Sequence, residues 1–432
     1  MADASQGHLD LNFGHRGHVV SSRPFYFMGI GPDASISLLG GSQVARLLPD
    51  GKPDPLFGGG GYEELPRTIE GSHYVMSALS VDHRNRMVAF GSAYPPGYPS
   101  VGQEPGSVEI SRGLVLRLDP DGGLDSSFGE GRGAFVSTFG LSSEERELSG
   151  EPTTRVLGGV VDSQDRPVLM AGVPAGYAPC VGHSLYSSFA RAIVRLTPAG
   201  ALDPSFGGGE GVSAVLRNLN VEPSPSLGLT AAGQPLVAGA AGSDCAQSSL
   251  AFRLRADGKP LRYGRRGRFH FAFKRFGRFA AFTSAGGLIL RQGYPVTAKV
   301  LRVTPAGSID RRFGADGFAS VSLPGGTSRV LRPAAVDTRG RILLVGSYSR
   351  PALDIGGKRA FLVIERLLHS GKLDLRFGRN GMITTPMAAA QVLGREEAAL
   401  DSHGRLLVLS QVSRRALGTR AKAVLTRFKL DG

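Results

Sequence analysis

The 432-residue chain predicts an all-β fold, a seven-bladed β-propeller of four-stranded blades, and three observations predict it. A short segment of the form G-x-x-D-x-x-F-G recurs along the whole length. Short apolar segments punctuated by turn residues fill the intervals between copies. The last unit breaks off where its copy should continue, and the first residues supply that copy.

The recurring segment reads GHLDLNFGHRG, GKPDPLFGGGG, GGLDSSFGEGRG, GALDPSFGGGEG, GSIDRRFGADG and GKLDLRFGRNG, with a weaker GKPLRYGRRG between the fourth and fifth. Its aromatic falls at Phe13, Phe57, Phe128, Phe206, Tyr263, Phe313 and Phe377. Glycine supplies backbone angles that other residues resist. The aspartate (Asp10, Asp54, Asp125, Asp203, Asp310, Asp374) can accept hydrogen bonds from N–H groups just downstream. The aromatic is the one large side chain, and it is expected to plug the gap between neighbouring blades, burial contributing roughly 1.5–3 kcal/mol per copy. A calcium loop at Asp119–Asp125 is the rival reading, weakened because the equivalent turns read TPAG and LHSG.

Within the unit from Ser328, SRVLRPAAVD, RILLVGSY and RAFLVIERLL precede the signature and MITTPM follows it, four strands in all. Signatures lie 44 to 78 residues apart, a period suited to propeller blades. The first segment of each unit is poor in bulk (Ala78, Gly158, Gly159, Ala280, Ala281, Ala334, Ala335, Ala398, Ala399), as strands converging on an axis require. The second and third carry Leu, Val and Ile, as sheets covered on both faces should. The unit ending at RFKLDG lacks an outer strand, which residues 15–23 would supply to the blade at 395–432, leaving a single propeller domain over 1–432 with no exposed sheet edge.

The motif DG-x-LD-xx-FG with its AVD…G-x-ILLVGS core resembles the delta-60 repeat, a bacterial β-propeller repeat, over essentially the whole chain. Tyr263 departs from the pattern, with Arg262 near the aspartate slot. The resemblance implies a propeller and an extracytoplasmic setting (secreted, periplasmic or cell surface), and it carries over no catalytic residue or cofactor. No signal peptide is visible in MADASQGHLD, and no apolar run reaches the ~20 residues of a membrane helix.

Function is expected where the repeats differ. The strand-two to strand-three connections share a face with the blade-to-blade crossovers, and long insertions fall at Tyr94–Arg112, Leu141–Pro152, Pro174–Ala190 and Ser349–Lys358. Six of the ten tyrosines lie there: Tyr94, Tyr98, Tyr177, Tyr186, Tyr294 and Tyr348. Tyrosine offers rigid contact area with a polar tip, suited to a protein or glycan partner, although packing of the loops on themselves explains it equally. The acid-rich SSEERELSGE joins the same face and reads as a solvated run.

The net charge is +14, and residues 251–280 hold ten Lys/Arg against Asp257 alone. That sector, around Lys274 and Arg275, is a solvated basic face or a seat for an anionic partner, and it matches no nucleic-acid module. Cys180 and Cys245 fall in equivalent loops of neighbouring blades, so a disulfide is feasible and would imply an oxidising compartment. His183 beside Cys180 falls short of a metal site.

No nucleophile elbow, zinc-protease motif or phosphate loop occurs, and the absence of tryptophan speaks against a quinone-dependent dehydrogenase. Glu396 and Glu397 alternate across a strand, so only one can face the channel. The expectation is a non-catalytic exported propeller that binds a protein or glycan through its long-loop face. The alternatives are a hydrolase or lyase acting on an acidic polysaccharide at the axis, and a structural module of a cell-envelope assembly.

Overall fold

The computed structural model describes residues 8–96, 111–141, 154–180, 183–213, 226–241, 248–264, 269–272, 276–292, 298–321, 331–352, 357–387, 391–413 and 422–430. They form strands and turns, with no helix among them. The fold is all-β: seven antiparallel sheets, the four-stranded blades of a β-propeller. The chain divides into two compact units, one of Met1–Glu63 with Arg275–Gly432, the other Glu64–Lys274.

The second unit holds blades 2 to 4. Blade 2 runs His73–Val81, Met87–Tyr94, Arg112–Leu118 and Ala134–Ser137, each strand paired with the next. Blade 3 follows with Arg155–Val161, Pro167–Cys180 and His183–Arg195, its fourth position marked by Val212 bridging to Val194. Blade 4 has Ser226–Leu229, Pro235–Ala241 and Ser248–Leu254, with Phe269–Ala272 outermost.

The first unit holds blade 1 (Phe27–Ile30, Ile36–Gly40, Gln43–Leu47, Tyr62–Glu64), blade 5 (Phe276–Phe282, Leu288–Gln292, Ala298–Val303, Phe318–Val321) and blade 6 (Arg332–Val336, Ile342–Ala352, Gly357–Leu367, Met382–Pro386). Blade 7 takes three strands from the C-terminal end, Gln391–Leu400, Leu406–Ser413 and Lys422–Lys429. Its outer strand comes from the start of the chain: His18–Ser21 pairs with Ala423–Thr426, and His8–Leu9 with Phe428–Lys429. The chain start thus completes the last blade, as its truncated final repeat requires.

All seven signature aromatics are fully buried. Phe13 sits in one cluster with blade 1 residues Ile36 and Leu38 and blade 7 residues Leu407 and Leu409. Phe128 lies between blades 2 and 3, Phe206 between 3 and 4, Phe313 between 5 and 6, and Phe377 between 6 and 7. The ring of one blade lies under the turn glycine of the next. A Cβ on Gly200, at φ +83°, would stand 2.7 Å from Phe128 and 2.8 Å from the Gly129 nitrogen, so only glycine fits. Gly159, on the innermost strand of blade 3, has a like cause, since a Cβ there would meet the Phe90 ring at 2.3 Å, whereas one on Gly158 would meet nothing within 4 Å.

Each aspartate turns its Oδ1 to the N–H two residues on, from 2.8 Å at Ser127 to 3.3 Å at Asn12 and Arg376. Its Oδ2 takes an arginine that stands eight residues earlier on the third strand. Arg46–Asp54, Arg117–Asp125, Arg195–Asp203, Arg302–Asp310 and Arg366–Asp374 all bond through Nε at 2.5–2.8 Å. Arg427 reaches Asp10 in the same way across the chain ends, at 2.9 Å. Each guanidinium also lies over its own signature ring, 4.3–5.4 Å from the centroid.

The remaining arginine nitrogens reach the following blade. Arg117, Arg195, Arg302 and Arg427 donate through Nη1 to the carbonyls of Pro198, Ala256, His369 and Pro49, and Arg366 to Leu430 at 2.7 Å. A ring, an ion pair and a carbonyl bond therefore fasten successive blades at one point.

Candidate functional site

The two ends of each blade are built differently. At one end the first and second strands join through a tight turn, closed in blades 2, 3, 6 and 7 by a second pairing: Asp82–Arg86, Asp162–Arg166, Asp337–Arg341 and Asp401–Arg405, with Nε to Oδ2 at 2.6–2.8 Å. Arg86 also reaches Asp125 at 3.2 Å, which links the two pairings of blade 2. Burial alone would raise Asp125, but the Ser127 hydroxyl and N–H with Arg117 hold its carboxyl below the usual carboxylate range. These paired aspartates are committed to structure and are not free for general acid–base work. Asp125 belongs to Arg117, which removes it from the calcium loop considered above.

The opposite end carries the connections between strands two and three, and two of them are not loops. In blade 3 the ladder continues from Val168↔Arg195 to Cys180↔His183, with register shifts near Pro174 and Ala178. In blade 6 it runs unbroken from Ile342↔Leu367 to Ala352↔Gly357. The segments read as loop insertions at Pro174–Ala190 and Ser349–Lys358 are therefore largely hairpin extensions, because their alternating residues keep pairing beyond the common length of a blade.

The candidate tyrosines divide accordingly. Tyr94 ends the second strand of blade 2, half-buried, opposite His73. Tyr348 stacks on its cross-strand neighbour Phe361, with centroids 5.0 Å apart and planes at 16°, and packs against the core between blades 5 and 6. Tyr177 pairs with Ser187, and Tyr186 with Ala178, on the two arms of the blade 3 hairpin. Cys180 closes the described part of that hairpin. Tyr98, Tyr294, Lys274, Arg275 and Cys245 lie outside the described residues.

Buried charges that serve neither pairing lie elsewhere. Arg191 is buried on the third strand of blade 3, where burial pulls its guanidinium down to about 10, and it covers Gly172. On blade 6, burial pushes the Glu365 carboxyl up to about 7. On blade 7, Glu396 Oε2 lies 3.5 Å from Arg332 of blade 6. Its neighbour Glu397 points the other way, where burial pushes its carboxyl up to about 8 against a hydrogen bond from the Met28 N–H of blade 1. Arg291, on the second strand of blade 5, is 5% exposed.

Apart from Glu396 and Glu397, weighed above as a carboxylate pair, none of these charges is a candidate on sequence grounds, since a single charge in a strand reads as half of a polar alternation. A signal does exist for Arg291. It is the fourth residue of its second strand, a slot that holds Leu39, Phe90, Met170, Ala238, Val345 and Leu409 in the other blades. Among the described residues, no group of three or more His, Cys, Asp or Glu could hold a metal ion. None of the described residues forms a helix long and apolar enough to cross a membrane.

Comparison with known proteins adds little beyond this geometry. A family model described as a β-propeller domain of unknown function (DUF5122) matches residues 181–206. No curated protein matches in sequence. Solved structures similar to the chain include a neuraminidase-like protein from A/bat/Guatemala/164/2009, 12% identical, covering 84% of this chain and 90% of that one at a TM-score of 0.42. Others are the PQQ-bound aldose sugar dehydrogenase of Streptomyces coelicolor (12% identical, 99% and 100% covered, TM-score 0.38) and a PL25 ulvan lyase bound to a GlcA–Rha3S unit (11%, 100% and 94%, TM-score 0.40). At these identities and scores the likeness says nothing of activity.

Proposed function

We propose that the protein is a binding propeller that engages a protein or glycan partner, outside the cytoplasm, through the blade ends carrying the strand-two to strand-three connections. The observation that supports this most is the asymmetry of the blades. Within blades 3 and 6 one end is braced by an Asp–Arg pair, while the opposite end of the same blade continues into a long hairpin that carries tyrosines. Projecting hairpins are the natural carriers of recognition on a rigid repeat scaffold. A variant with Tyr94→Ala, Tyr177→Ala and Tyr348→Ala is expected to bind at least about tenfold more weakly on a glycan array or to an immobilised partner, as loss of aromatic anchors does. Unchanged binding by a folded variant refutes this face.

A further inference from the structure

The second strand of blade 5 places an arginine where the other blades place an apolar side chain or alanine. Ile289, two residues earlier on that strand, packs into the core shared with Ile342 and Leu344 of blade 6. Alternation along a strand puts Arg291 on the same face. The strand Leu288–Gln292 abuts Arg332–Val336, and the Arg332 guanidinium acts on Arg291 as a neighbouring positive charge. Arg332 in turn leans on Glu396 at 3.5 Å.

The bonding of Arg291 is incomplete. Its Nε and Nη2 are buried and make no hydrogen bond. A guanidinium held out of water, beside a second one and with two donors unused, is costly unless an anion answers it. The unused pair is also the side of the fork that grips two oxygens of a carboxylate or similar oxyanion. Glu396, the acid seen beside this pair among the described residues, faces Arg332.

We infer that Arg291 and Arg332 form a receptor for an oxyanion of the carboxylate or sulfate type, with Arg291 as the bidentate ligand and Arg332 as the second cation. This site is independent of the hairpin tyrosines, so either assignment can fail without the other. The oxyanion is carried on a larger ligand such as an acidic sugar, or it is a free inorganic ion, and the probes below separate these sources.

The test is thermal unfolding of the full chain at constant ionic strength, titrating sodium glucuronate or sodium sulfate against chloride. The wild type is expected to gain Tm with glucuronate or sulfate at concentrations where chloride has no effect. Arg291→Leu, which installs the residue found at this slot in blades 1 and 7, is expected to unfold at a higher temperature than the wild type without anion and to lose the response. Arg291→Lys, a point charge without the fork, is expected to bind at least about tenfold more weakly. A response to glucuronate at lower concentration than to sulfate assigns a sugar-borne carboxylate, and the reverse order assigns an inorganic ion. A wild-type Tm indifferent to both anions, or a response in Arg291→Lys or Arg291→Leu equal to that of the wild type, overturns the proposal. Should Arg291→Leu fail to fold, the comparison of wild type with Arg291→Lys still decides.

Discussion

Glu365 shows at the scale of one residue what a charge inside a blade does. Its neighbours Val363 and Leu367 pack into the core between blades 5 and 6, and the same face of the strand carries Glu365, 5% exposed. Burial raises its carboxyl from 4.5 to about 7, so the folded chain holds a proton that the unfolded chain releases. An acid whose folded value is raised contributes most at low pH and loses that contribution as pH rises from the unfolded value through the folded one. Stability should therefore fall between about pH 4.5 and 7 on account of this group, and Glu365→Gln, which cannot ionise, should remove that slope. Urea unfolding at pH 5 and pH 8 is the check, with Glu365→Gln gaining up to about 3 kcal/mol relative to wild type at the higher pH. A wild-type slope retained in the variant assigns the dependence elsewhere.

At the scale of the element, the signature is a fastener with three parts, of which two were legible in sequence. The aromatic stood out because a lone Phe among glycines and polar residues has no use except burial. The aspartate stood out because its downstream N–H groups lie in the same turn. The arginine did not, because in VLRLD, IVRLT or LTRFK it looks like the polar half of an alternating strand. Its constancy was nevertheless visible: Arg46, Arg117, Arg195, Arg253, Arg302, Arg366 and Arg427 each stand five residues before the turn glycine. Blade 4 shows that the parts belong together. Leu261 occupies its aspartate slot, Tyr263 its aromatic slot, and Arg253 bonds Gln234, which replaces the arginine of the second pairing. The fastener makes the turn glycine a sensitive position. Gly200→Ala should lower stability by about 2 kcal/mol, adding strain at φ +83° to overlap with the Phe128 ring, read as a lower denaturation midpoint. Gly233→Ala, where nothing lies within 4 Å of the new atom, should cost less.

At the scale of the molecule, the fold was open to reading because repetition averages out local ambiguity. Any one four-strand unit could belong to a sandwich, but its repetition along one chain points to the blades of a propeller. The candidate site was less open, for the same reason: function lies where repeats differ, and differences cannot be averaged. The hairpin extensions of blades 3 and 6 read as loops because Pro174, Gly176 and Pro351 mimic turn composition, yet the ladders run through them. The charge at Arg291 was hidden in a strand otherwise apolar by rule.

The central claim is that a signature aromatic wedges consecutive blades together whether its strand lies within the sequence or returns from the opposite end of it. Phe13 and Phe128 are both fully buried, each between two blades, one in a turn near the chain start and the other in a turn mid-chain. Denaturant unfolding of Phe13→Ala beside Phe128→Ala tests this most directly. The account predicts losses of similar size, about 3–5 kcal/mol each, as for other buried phenylalanines cut to alanine. A Phe13→Ala protein as stable as wild type, with Phe128→Ala strongly destabilised, would contradict it.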